Sequence, residues 1–139
     1  MEEMLSRARE ILEKEGCTFV LCSHETIYKS TQRGIRPLVA LLDGGPDVTG
    51  FYAADKVVGR AAAFVYCLLG VKAVFAPVMS EAAVEILRNH NIEPDWITLT
   101  PAIRNRAGDG LCPMETATQT SATPQKALEA IRGALAHLR

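Results

Sequence analysis

The chain has 139 residues, of which 48% are hydrophobic and 22% charged, and its formal net charge is −1. This length and composition fit one compact domain over residues 1–139 with a core of its own, and they exclude a disordered or low-complexity chain. The near-neutral charge excludes nucleic-acid or membrane-surface binding driven by bulk charge.

Residues 3–15 read as an amphipathic helix, with Leu5, Ala8, Ile11 and Leu12 on one side and Gly16 as its stop. The acidic start, Met1-Glu2-Glu3, lacks the basic region of a signal peptide, and no apolar run reaches the length of a membrane span. A cytoplasmic location is expected. The four cysteines, Cys17, Cys22, Cys67 and Cys112, show no Cys-x-x-Cys spacing, which fits reduced thiols better than a disulfide framework. Residues 17–22 and 26–30 are β-rich and flank Ser23-His24-Glu25, so a hairpin is predicted there. His24 and Glu25 are read as a polar hairpin tip, because turns select such residues.

Pro37 is placed to open a short helix through Leu42, which Asp43-Gly44-Gly45-Pro46-Asp47 then breaks. Gly45 and Gly50 have the glycine spacing of a phosphate-binding loop. Phe51 and Tyr52 stand where Lys and Ser or Thr would be needed, so that reading fails. No Gly-x-Gly-x-x-Gly occurs, which removes the dinucleotide fingerprint.

The central stretch runs from Val57 to Leu69 and is apolar on nearly every face, which predicts a helix buried on several sides. Asp55 is expected as its N-cap and Gly70 as its left-handed C-terminal stop. Lys56 and Arg60, four apart, fall in its first turns, where cations oppose the macrodipole and repel each other. They pair with local acids such as Asp55, or they wait for an anion.

Beyond this helix, residues 72–76 read as a strand ended by Pro77. Ser80 caps a helix with Ala82, Ala83, Ile86 and Leu87 on its apolar face, and residues 92–99 form the next strand. The alternation predicts a mixed four- or five-stranded sheet with helices on both faces. Thr123, Pro124 and the stripe Ala127, Leu128, Ile131, Leu135 and Leu138 define a last helix.

The segment Arg104-Asn105-Arg106-Ala107-Gly108-Asp109-Gly110-Leu111-Cys112-Pro113-Met114-Glu115 is the least ordinary. Gly108 and Gly110 allow a sharp turn that presents backbone amides, and Pro113 opens a short helix with Cys112 as its cap residue. A thiol there, near Arg104 and Arg106, is in surroundings that favour the thiolate. The same parts also make an anion site. An ordinary glycine turn with a capping cysteine is the plain alternative.

The run Ala-Asp-Lys-Val-Val-Gly-Arg-Ala-Ala at 54–62 and the run Gly-Asp-Gly-Leu-Cys-Pro-Met-Glu at 108–115 resemble a small prokaryotic family, a domain of unknown function with a cytidine-deaminase-like fold. The resemblance implies a three-layer α/β/α sandwich with a mixed sheet, and it implies homo-oligomers. Zinc deaminases open the central helix with His or Cys, a residue, then Glu, and the next helix with Pro-Cys-x-x-Cys. Here those places fall on Ala53, Ala54 and Asp55, and on Pro77, Val78 and Glu81. Alanine and valine cannot ligate zinc, so neither a metal site nor hydrolytic deamination is expected.

The resemblance also implies that Asp55, Lys56 and Arg60 line the cavity. Together with Arg104, Asn105, Arg106, Gly108, Asp109, Gly110 and Cys112 they are the candidate ligand-binding residues, suited to a nucleotide-like or other phosphorylated small molecule. A bound or covalently attached nucleotide or ADP-ribose derivative is the one cofactor-like group contemplated. The alternatives are a metal-independent enzyme with Cys112 as nucleophile and Asp55 in proton transfer, and a non-catalytic homo-oligomeric interaction module.

Overall fold

Buried apolar side chains fall into two sets, one on each face of a sheet, and this division organises the computed structural model, which describes residues 2–105, 107–108 and 110–137. On one face, among the described residues, α1 (Glu2–Glu15) is the helix that packs. Its Met4, Leu5, Ala8 and Leu12 pack with Val20, Cys22, Ala54, Ala73 and Phe75. On the other face, α3 (Arg60–Leu69) is surrounded by α2 (Arg36–Gly44), α4 (Glu81–Asn89), α5 (Pro113–Thr118) and α6 (Pro124–His137). The result is the expected three-layer α/β/α arrangement. No helix among the described residues is long and apolar enough to cross a membrane.

The sheet is mixed. Strand β1 (Phe19–Cys22) pairs antiparallel with β2 (Ile27–Ser30) and with β3 (Tyr52–Asp55). Strand β5 (Ala73–Ser80) runs parallel to β3, to β4 (Val57–Val58) and to β6 (Glu93–Thr100). The hairpin forms as predicted, and its tip is closed by Thr26 N–H donating to Ser23 Oγ at 3.0 Å. His24 and Glu25 are exposed there.

Several expectations are corrected. Residues 52–55 form a strand, with Tyr52 opposite Cys22 and Ala73, so Asp55 ends β3 and does not cap a helix. The helix starts at Arg60 with Gly59 as its cap residue, and Val57 and Val58 are extended. Lys56 is therefore off the helix, and the like-charge pair in a shared first turn does not arise. Ala53 and Ala54 likewise lie in a strand, away from any helix start. Pro77 does not end its strand, which continues to Ser80.

One physical cause links the last points. Tyr52 faces Ala73 and Val57 faces Val78 in the same register, so β3 and β4 are one strand with a break at Lys56, opposite Pro77. Proline has no N–H to give the ladder. Across the gap, Lys56 N–H turns away and donates to Thr18 O at 3.0 Å. Past the break the packing alternation slips by one, since Ala53 and then Val58 both join the α3-side core.

Local signals elsewhere hold. Ser80 Oγ accepts from Ala83 N–H at 3.1 Å, and Gly70, at φ +74°, ends α3 with its N–H shared between Tyr66 O and Cys67 O. Thr123 Oγ1 accepts from Lys126 N–H at 3.2 Å, and Ala127 and Ile131 are buried beneath α6. Leu138 lies outside the described residues. A bidentate ion pair from Arg132 to Asp43, at 3.0 and 2.7 Å, joins α6 to α2.

Candidate functional site

Where β3 breaks, the chain leaves an opening beside α3. A cavity of about 450 Å³ sits there, lined by β1, the loop before α2, the β3–β4 break and the start of α5. Its walls are mainly apolar, from Phe19, Ile35, Leu38, Ala62, Ile103 and Met114. The polar groups are few: Thr18, Arg33, Asp55, Lys56, Cys112 and Glu115. Arg33 and Lys56 are exposed and form its cationic rim.

Asp55 is the best-defined of these. As the last residue of β3 it turns towards α3, where Tyr66 O–H donates to Oδ2 at 2.7 Å; Val57 N–H donates to Oδ1 at 3.4 Å. Burial pushes its carboxyl up to about 7, although the bonds from Tyr66, Val57 and Lys56 pull the other way. Tyr66 is fully buried in α3, and burial together with the facing Asp55 carboxyl raises its phenol well above the ordinary value. Asp55 can therefore exchange a proton near neutral pH at the edge of an apolar cavity.

Glu115 was not anticipated. It is buried, and its Oε1 accepts the backbone N–H of Arg60 at 2.9 Å. It satisfies one of the free amides at the start of α3 and places a carboxylate at the positive end of the helix. This contact requires Gly59. A Cβ there would overlap Glu115 Oε1 and come within 2.7 Å of Ile103 Cγ1. Gly59 has φ −106°, so the requirement is one of space and not of backbone strain. A sequence signal exists for Tyr66, since a lone phenol inside an apolar helix needs a partner, but the role of Glu115 has none, because the amide it accepts from lies 55 positions away.

The sequence candidates divide. Asp55, Lys56 and Cys112 line one cavity. Cys112 precedes α5 without a side-chain capping bond, held by its N–H donating to Ile103 O at 2.9 Å. The Arg60 side chain instead lines a second, smaller depression with Glu85, Asn89 and His90. Arg104 bridges to Leu111 across the loop and is exposed. Gly108 N–H is engaged by Asn105, its O at 3.1 Å and its Oδ1 at 2.9 Å, and Asn105 N–H donates to Gly110 O at 2.9 Å. These amides close the turn and do not line the cavity. Arg106 and Asp109 lie outside the described residues. Among the described residues, no group of three His, Cys, Asp or Glu could hold a metal ion. Cys67 is no rival nucleophile, since burial pushes its thiol up to about 12.

Two outcomes follow. Gly59→Ala should lower unfolding stability by about 1–3 kcal/mol, since Glu115 and Ile103 must move. Adding Glu115→Ala should make the second substitution cost less than it does alone, as a double-mutant cycle in urea will read. The folded state holds the Asp55 proton more tightly than the unfolded chain, whose carboxyl titrates near the ordinary 3.8. The contribution of Asp55 to stability is thus full at low pH and declines as pH rises from about 4 to about 7. Asp55→Asn should remove that decline, and at pH 8 it should exceed the wild type by about 1–2 kcal/mol in urea unfolding.

A DUF1893 family protein from Thermotoga maritima, known from its crystal structure, superposes with a TM-score of 0.86 at 25% identity, over 99% of this chain and 92% of that one. A diaminohydroxyphosphoribosylaminopyrimidine deaminase/5-amino-6-(5-phosphoribosylamino)uracil reductase of the same organism matches with a TM-score of 0.45 at 17% identity, over 69% of this chain and 36% of that one. No curated protein matches the chain. The profile of the TM1506 family, described as a domain of unknown function (DUF1893), matches residues 7–135, and the chain belongs to that family.

Proposed function

We propose that the protein binds a small nucleotide-like or otherwise phosphorylated molecule in the cavity beside α3. The flat, apolar part of the ligand lies against Phe19, Leu38 and Met114, and its anionic part meets Lys56 and Arg33 at the rim. What carries this reading is the convergence of an exposed ammonium and guanidinium with a protonatable carboxyl on one largely apolar concavity. Arg33 takes the place expected of Arg60, and the Arg104–Cys112 loop contributes through Cys112 at its end. Asp55, able to donate or accept near neutral pH, selects polar atoms on the ring edge. The chain order of helix, hairpin, helix, broken strand, helix, strand, helix, strand supports the kinship with deaminase-like folds expected from the sequence.

A panel of nucleoside mono- and diphosphates, ADP-ribose and inorganic phosphate, followed by thermal melting, tests the reading. At least one nucleotide should raise Tm, and Lys56→Ala or Arg33→Ala should weaken its binding about tenfold, the worth of one charge-assisted contact. A complete panel without a shift rejects it. The position of Cys112 on the same cavity as Asp55 favours a second reading, a metal-independent enzyme with Cys112 as nucleophile. Cys112 should then be alkylated faster at neutral pH than a free thiol, and Asp55→Asn should alter the pH profile of that rate.

A further inference from the structure

We propose that β6 is a self-pairing edge, by which two copies of the chain join into a dimer whose sheets continue antiparallel across a two-fold axis at Thr98. Strand β6 pairs with β5 and, among the described residues, with no other strand. Natural edges are usually blunted by charge, proline or a bulge. Residues 96–100, Trp-Ile-Thr-Leu-Thr, carry none of these guards and are rich in β-forming types. Ile97 and Leu99 share one face and are 60% and 42% exposed. Two of the four large hydrophobic residues exposed among those described, Ile97 and Leu99, thus lie on this one strand.

Charge order selects the occupant. The edge begins with Glu93 and Asp95, and the next charged residue in the sequence is Arg104, which is exposed. A second copy laid antiparallel sets the acidic start of each strand towards the Arg104 end of the other, so the edge is complementary to itself. Centred on Thr98, this pairing sets Ile97 against Leu99 twice, forming two apolar cross-strand pairs. Centred on Pro94, it would set Glu93 against Asp95, and the like charges would repel. An isologous contact of this kind closes as a dimer and leaves no free β6 edge.

Sedimentation velocity of the full chain through the micromolar range should show a dimer. Ile97→Lys and Leu99→Lys should each give monomers with unchanged circular dichroism, because both positions are open to solvent. Thr98→Cys should yield a dimer linked through position 98 under mild oxidation, identified by peptide mass. A wild type that is monomeric throughout, or a dimer that survives both lysine substitutions, overturns the proposal.

Discussion

The contact on which the site depends is the carboxylate of Glu115 seated on the first free amide of α3. It brings α5 and the loop before it against the central helix, and it closes one wall of the cavity. Such a cap is worth about 0.5–2 kcal/mol, with a further few tenths from the helix dipole. Its geometric effect is larger than its energy. Gly59 has no Cβ, so the carboxylate and Ile103 can approach the helix start closely enough for Met114 and Cys112 to reach the same space as Asp55. The start of α3 is thereby occupied by the chain's own anion, which leaves Lys56 and Arg33 as the groups that face outward.

A second constraint acts from the sheet. Pro77 cannot donate to the ladder, so the neighbouring strand opens at Lys56, and this gap is where Asp55 turns out of β3 towards Tyr66. A buried phenol and a half-buried carboxyl settle into one short hydrogen bond, because each would be costly alone in apolar surroundings. The carboxyl keeps its proton to about neutral pH for the same reason. The group that weakens the fold when charged therefore lies at the edge of the cavity. Structure at the opposite sheet edge is simpler, since residues 96–100 of β6 are uncharged and β-forming and, among the described residues, only β5 pairs with that strand.

Much of the architecture was legible in the order of residues. Hydrophobic periodicity and capping residues located α1, α4 and α6, and the apolar run to Leu69 announced a helix buried on several sides, because these signals act over one or two turns. The hairpin was equally plain. Asp55 and Lys56 were picked out, and they do line the cavity, but for a different reason: they belong to a strand that breaks, whereas the sequence placed them on a helix. The stretch from Tyr52 to Val58 reads as either element by composition, and only pairing with β1 and β5 decided it.

What the sequence determined by itself, then, was the mixed α/β class, the hairpin and most of the helices, because those signals are local. Tertiary structure alone decided which polar groups meet. Glu115 reaches Arg60 N–H across 55 positions, and Tyr66 finds Asp55 through the packing of a helix on a strand. Arg60 turns to another face, while Arg33, unremarkable in its loop, comes to the rim. Local physics fixes helices and turns within a few residues, but the direction of a side chain relative to a distant one depends on how the layers stack.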